Sequence, residues 1–517
     1  MVNFEALTPT ACLDRSAAVF GDRTAVIDGD LRYSYAEFRD RCLRQAGMLA
    51  GLGVQPGDRV AVLAPNTHLM LEAHYGVLYA GAVLVALNTR LSAAELRYII
   101  EHSGSLVMLH DPGLAGLAAE ITGGVEVRLV SGGDEYEGLL RAAAPARVPV
   151  TDERALMALN YTSGTTGRPK GVMYHHRGAY LQALAMTMHF RLDSESVYLW
   201  TLPMFHCNGW CFTWAVTLAG GTHVCLPQLD PGRVWRLLAE EGITHFCGAP
   251  TVLIMLANHP EARPVAGPGV LVAVGGAPPS PSLLERCSEL GLRVTHLYGL
   301  TETFGPIVIC DWRPEWNQLT VAEQAAVRAR QGVGNVISCT ARVVDADGKD
   351  VEPDGEAIGE IALRGNNVML GYYRDEAATA VAVPDGWFRT GDLGVLHPDG
   401  YVQIRDRKKD VIISGGENIS SVEVEAALAS HPAVLEAAVI AVPDEHWGER
   451  PAAWVTLKDG AQVTAEELRA HVRGRLARFK VPDRIEFGVL PKTASGKIRK
   501  FELRAAAAGA RKAAEGD

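Results

Sequence analysis

Tyr161-Thr162-Ser163-Gly164-Thr165-Thr166-Gly167-Arg168-Pro169-Lys170-Gly171 places three glycines, four aliphatic hydroxyls and one lysine within eleven residues. Glycine permits positive φ and close backbone approach. Main-chain N–H groups beside hydroxyls and an ammonium make a nest for a polyphosphate. The common nucleotide-binding P-loop needs Gly-Lys-Ser/Thr opening a helix. Here Pro169 precedes Lys170 and Gly171 follows it, which disfavours a Walker-type ATPase. A polar surface hairpin is the plain alternative, because Gly/Ser/Thr clusters usually mark loops.

In this order the stretch resembles the phosphate loop of the adenylate-forming superfamily, which comprises acyl-CoA synthetases, luciferases and peptide-synthetase adenylation domains. Other segments carry the same resemblance. Tyr298-Gly299-Leu300-Thr301-Glu302-Thr303 resembles the family's Tyr-Gly-x-Thr-Glu signature. It implies that Tyr298 and Gly299 face adenine, Thr301 binds the α-phosphate, and Glu302 with Thr162 holds Mg²⁺, whose hard-cation chemistry suits oxygen donors. Gly275-Gly276-Ala277-Pro278 follows an apolar strand at 270–274, and the family places adenine there. Trp387 to Asp392 matches the family's ribose segment. A carboxylate accepts two hydrogen bonds from vicinal hydroxyls, so Asp392 is the expected ribose ligand, with Arg407 reaching the same sugar.

Pro203 to Trp210 ends in His-Cys-Asn-Gly-Trp. His206 and Trp210 are four apart and share a face if the segment is helical. The resemblance assigns this segment to the acid pocket, with Trp210 gating the acyl tunnel and Val274 and Thr303 beside it. Peptide-synthetase domains carry an aspartate after the phenylalanine, to hold a substrate ammonium. His206 stands there instead, so an acid without an α-amino group is expected. Glu315-Trp316-Asn317 and Ala329-Arg330-Gln331-Gly332 resemble the plant acyl-activating and methylmercaptopropionate-CoA ligase subgroup.

Asp406-Arg407-Lys408-Lys409-Asp410 matches the family's hinge, with Lys409 at the pivot. Ser414-Gly415-Gly416-Glu417 resembles the loop past which the pantetheine arm runs, and Trp447 is assigned to the CoA side. Ile413 and Asn418 depart from many relatives, which bears on the nucleotide and CoA contacts there. Pro491 to Lys497 resembles the closing signature, in which Lys497 bridges the substrate carboxylate and the α-phosphate. The expected domains are 1–405 for ATP and acid, a hinge at 406–410, and a lid at 411–517 carrying Lys497.

Alternating strands and helices in the first third imply parallel sheets covered on both faces. The expected fold class is α/β, with a large N-terminal domain of doubly wound sheets, a β-rich subdomain and a small mobile C-terminal α/β domain. Thr24 to Ile27 and Leu31 to Tyr33 read as a hairpin. Ser34/Glu37, Ser92/Glu95 and Thr464/Glu467 read as capping boxes. Residues 111–150 show a weaker pattern. His175-His176 has no carboxylate or cysteine at ligand spacing, so metal is disfavoured. The alanine-rich tail from Arg504 is expected to fray.

The apolar fraction of 48% and charged fraction of 21% are those of an ordinary globular enzyme. A net charge of −11 argues against a nucleic-acid partner. Nine scattered cysteines without a Cys-x-x-Cys pair fit a reducing cytoplasm. The first residues lack signal-peptide features, the last three are not a peroxisomal tripeptide, and the longest apolar run is too short to span a bilayer.

These readings lead to an AMP-forming carboxylic acid:CoA ligase working through an acyl-adenylate. ATP, CoA and Mg²⁺ serve the reaction, the acid is a fatty or medium-chain one, and the resemblance allows a homodimer. Short-chain, methylthio and aryl acids remain open, as does transfer to an acyl carrier protein. A luciferase-like oxygenase and a silent binding protein are further alternatives.

Overall fold

The structure, a computed structural model, describes residues 4–162, 168–277, 279–415, 417–444, 446–492 and 498–514. Two large sheets form the N-terminal part. One has seven strands, with Arg59–Leu63, Val83–Ala86, Ser105–His110, Arg128–Ser131 and Leu156–Tyr161 running parallel. The chain then reverses, returns antiparallel as Gly171–His175, and is capped by Gly371–Tyr372. The other sheet has nine strands. Its six central strands, from Leu292–Leu300 to Thr24–Asp28, are parallel, and antiparallel strands close both edges. Such two-sided sheets need apolar cover. The helix His68–Tyr79 supplies much of it: every residue from Leu69 to Tyr79 is buried in the core shared by the two sheets.

An antiparallel sheet of Arg342–Val344, Gly359–Leu363, Phe388–Leu396 and Val402–Arg407 forms the β-rich part. A five-stranded sheet with the helices Ser421–Ala429, Ala465–Arg473 and Lys500–Ala514 follows. Its apolar clusters draw only on residues between Ile412 and Ala507. No helix among the described residues is long and apolar enough to cross a membrane.

The hairpin at Thr24–Asp28 and Leu31–Ser34 and all three capping boxes form. In each box the threonine or serine hydroxyl accepts the N–H of the glutamate three residues on, so these local signals act without tertiary help. The weakly patterned 111–150 segment holds the strand Arg128–Ser131 and the helices Ala115–Thr122 and Asp134–Ala142. His175 is an N-cap: its Nδ1 accepts the N–H of Gly178 at 2.8 Å. His176 pairs with the Thr8 hydroxyl at 3.0 Å, and burial lowers its pKa to about 4.

Two expectations are corrected. The tail does not fray from Arg504: Lys500–Ala514 is helical, Leu503 is buried, and Arg504 pairs with Asp410 at 2.5 Å. His206 and Trp210 do not share the face of a right-handed helix. Cys207, Asn208, Gly209, Trp210 and Cys211 all have φ between 48° and 65°, a left-handed turn. Such backbone costs an L-residue about 1–2 kcal/mol each. Dense packing holds it here, since Cys207 to Trp210 are all buried.

Candidate active site

The strand Leu156–Tyr161 leads into the glycine- and hydroxyl-rich stretch, and the antiparallel strand Gly171–His175 leads out of it. The base of the loop is closed reciprocally: Thr162 N–H donates to Lys170 O at 3.0 Å and Lys170 N–H donates to Thr162 Oγ1 at 3.2 Å. Ser163, Gly164, Thr165, Thr166 and Gly167 lie outside the described residues, as do Pro278, Gly416 and Lys497. The Lys170 ammonium stands over the Tyr372 ring, 4.7 Å from its centroid. Tyr372 in turn donates its hydroxyl to Glu302 Oε1 at 2.8 Å. The ring therefore joins the loop lysine to the half-buried signature glutamate. Burial and the nearby Glu302 charge raise the Tyr372 pKa, so it stays a donor.

Asp392 and Arg407 face each other across adjacent strands, in register. Asp392 Oδ2 accepts the Tyr298 hydroxyl at 2.6 Å. Arg407 Nε lies 2.9 Å from Oδ1, within ion-pair range. Its N–H does not complete a hydrogen bond, and Oδ1 is a buried acceptor without a hydrogen-bond donor. A buried orphan acceptor is costly, and a sugar hydroxyl would satisfy it. Tyr298 thus orients the Asp392 carboxylate through its hydroxyl.

Trp210 is packed between two glycines. A Cβ at Gly275 would come within 3.0 Å of the indole Cη2, and one at Gly305 within 3.2 Å of the Trp210 Cβ. Only glycine permits so close an approach. The strand Val270–Val274 ends beside this contact, with Val274 fully buried. Gly276 and Ala277 are exposed. Thr303 is a different case: its side chain is fully buried. Its hydroxyl accepts from Leu300 N–H at 2.9 Å and donates to Gly305 O at 2.8 Å. It fastens its own turn.

His206 and Thr301 line one small cavity of about 20 Å³, with Asn88, Asn160 and Phe205. Asn160 donates to Phe205 O at 2.7 Å, while its buried Oδ1 has no partner. Gly299 lies two residues before Thr301, on the strand that ends at Leu300. Tyr174 fixes the turn by donating to Thr301 O at 2.5 Å. Beyond the 406–410 stretch, Gly415 N–H donates to Trp447 O at 2.8 Å, and Gly415 lies against the Trp447 ring. Ser414 is buried, Glu417 exposed and Trp447 half-exposed. Lys409 is exposed, and burial of its inner part lowers its pKa.

Sequence reasoning missed Tyr372 and Asn160. Gly371-Tyr372-Tyr373 was legible as a turn-and-strand segment, but its partners lie far away in the chain. A polar Asn160 ending an apolar strand was the available signal for the second residue.

A loop base closed by Thr162 and Lys170, a buried carboxylate with an open acceptor and a small cavity lined by both His206 and Thr301 are features that fit an enzyme joining a nucleotide phosphate to an acid. The chain belongs to the AMP-binding enzyme family, whose model matches residues 13–373. The family's AMP-binding enzyme C-terminal domain matches residues 423–497. An acetate–CoA ligase from Humulus lupulus is 43% identical, covering 98% of this chain and 95% of its own. A 2-methylpropanoate–CoA ligase from the same plant is 44% identical, covering 97% and 95%. The crystal structure of ATP-bound MatB from Rhodopseudomonas palustris superposes with a TM-score of 0.87 at 30% identity, covering 97% of this chain and 99% of that one.

Proposed function

We propose that the acid activated here is a short aliphatic one, held between His206 and the Trp210 indole. The reaction is that of an ATP-dependent, AMP-forming carboxylic acid–CoA ligase. The carboxylate oxygen bonds to the α-phosphorus and pyrophosphate leaves. The CoA sulfur then bonds to the acyl carbon and AMP leaves. The observation that carries the reading is the shared cavity of His206 and Thr301, because the acid and the α-phosphate have to meet in one place.

Thr162 to Gly167 and Lys170 would hold the β- and γ-phosphates, Thr301 the α-phosphate, and Gly275 to Pro278 with Tyr298 and Gly299 the adenine. Asp392 and Arg407 would hold the ribose. Glu302 and the Thr162 hydroxyl would hold Mg²⁺ together with the phosphates, because both are the oxygen donors that this hard cation takes. Bound Mg²⁺ neutralises phosphate charge. Lys497 serves adenylation, and rotation about Lys409, with 1–405 and 411–517 as the moving bodies, admits the thiol past Ser414–Glu417 and Trp447. Domain motions of this kind commonly gate catalysis.

The short chain is supported by the two relatives' acids, acetate and 2-methylpropanoate, and by the indole pressed against Gly275 and Gly305. Pyrophosphate release across a series of straight-chain acids tests it. Trp210→Gly is expected to move the preferred acid to a longer chain, at about 0.8 kcal/mol per newly buried methylene, or roughly fourfold in kcat/KM each. An unchanged profile would remove Trp210 from the pocket wall.

Tyr372→Phe deletes the hydroxyl on Glu302 and keeps the ring under Lys170. It is expected to raise the KM for MgATP by about tenfold, the value of one charge-assisted hydrogen bond. A steady-state titration of ATP at fixed Mg²⁺ checks this. A cytoplasmic location is supported by the nine free thiols, eight of them buried. Family resemblance supports a homodimer, which sedimentation velocity tests.

A further inference from the structure

We propose that Lys500 is a positioning residue that ties the segment carrying Lys497 to the hinge, an inference that rests on the role of Lys497 given above. Asp406 and Arg407 are neighbours on the strand Val402–Arg407, so their side chains leave opposite faces. Arg407 turns to Asp392 and Asp406 turns to the small domain. There the Asp406 carboxylate accepts the Ser421 N–H at 2.5 Å and the Ser421 hydroxyl at 3.1 Å. The same hydroxyl accepts from the Lys500 ammonium at 2.6 Å. Donor and acceptor directions agree along the whole relay, from Lys500 through Ser421 to Asp406. Lys500 also pairs with Glu425 at 2.8 Å. One turn further along the helix, Arg504 grips Asp410 at 2.5 Å. The last helix thus reaches Asp410 directly and Asp406 through the Ser421 hydroxyl.

The lysine-bearing segment is held at its other boundary too. Lys492 and Ile498 form an antiparallel bridge, Arg499 N–H donates to Pro491 O at 2.8 Å, and Lys492 pairs with Glu436 at 2.6 Å. Its two ends are therefore pinned together, and Lys500, two residues past Ile498, connects them to the hinge. Burial pushes the Asp406 and Glu425 carboxyls up, and the Lys500 charge draws them back down. A neutral residue at 500 would leave both carboxylates without their nearest cation.

The test measures the two half-reactions separately on the full-length enzyme: acid-dependent pyrophosphate release, and thioester formation from supplied acyl-adenylate. Lys500→Met is expected to slow pyrophosphate release by about 10- to 100-fold, the scale of a small misplacement of a reacting group. Thioester formation should change by less than about threefold on the same reasoning. Lys500→Arg should restore most of the loss. Ser421→Ala breaks the relay without stranding a charge and should show the same split, which keeps the test open if Lys500→Met fails to fold. Equal loss of both half-reactions, or no loss in either, overturns the inference. Lys497→Ala measured in parallel separates the two readings. If it shows the split and the Lys500 and Ser421 variants do not, only the positioning role fails. If it shows none, the role of Lys497 fails first.

Discussion

Replacing Lys497 with alanine is expected to slow acid-dependent pyrophosphate release by about 100- to 1,000-fold, the usual loss when one preorganised charge-stabilising donor is removed. In adenylation two anions, a carboxylate and a phosphate, are brought into bonding contact. Their repulsion is large in a site shielded from water, and a lysine bridging both relieves it only as they approach. The second step has no such need. A thiol sulfur attacks an acyl carbon that carries a good leaving group, and the negative charge moves away with AMP. Thioester formation from supplied acyl-adenylate should therefore be spared. Lys497 itself lies outside the described residues, so the half-reactions are its direct assay. If both fall together, the lysine does not act where the family signature puts it.

Asp392→Ala is expected to weaken ATP binding by about 10- to 150-fold, from the 1.5–3 kcal/mol typical of hydrogen bonds to a charged group. Asp392 is nearly fully buried, takes the Tyr298 hydroxyl on one oxygen and faces Arg407 with the other. Alanine would remove the ribose acceptor and leave the buried Tyr298 hydroxyl without its partner. Asp392→Asn is the sharper variant, because it keeps the shape and loses the charge beside Arg407. Isothermal titration with ATP checks both variants, and thermal denaturation shows whether stability falls with affinity. Unchanged affinity in both would move the ribose site elsewhere.

The parts of this molecule readable from sequence are those in which neighbours in the chain are partners in space. The capping boxes at Ser34, Ser92 and Thr464 pair residues only three positions apart, and all three form. The Tyr-Gly-x-Thr-Glu and Trp387 to Asp392 segments announced themselves through family signatures. Their mutual arrangement was less accessible: Asp392 meets Tyr298 across 94 residues, and Tyr372 meets Glu302 across 70. No local pattern encodes such pairs, which depend on how the sheets pack. The left-handed turn was hidden for another reason. Of its five residues only Asn208 and Gly209 tolerate positive φ readily, so a right-handed reading looked natural. The tail misled through composition, since alanine and charge suggest fraying, yet Leu503, Lys500 and Arg504 anchor it.

The left-handed turn also limits the routes by which substrate range can drift. The Trp210 indole comes to lie against Gly275 and Gly305 through five successive residues that share one left-handed backbone conformation. An insertion, a deletion or a β-branched replacement in 207–211 would rotate the indole out of place rather than adjust it by degrees. Gradual change has to come from the indole itself or from the surfaces it touches. Gly275 and Gly305 leave no room for even a methyl without a shift, and Gly275 opens the segment assigned to adenine. If Trp210 lines the acid pocket and Gly275 the adenine site as proposed, divergence toward a new acid is coupled to the nucleotide pocket, and few single substitutions can achieve one without disturbing the other.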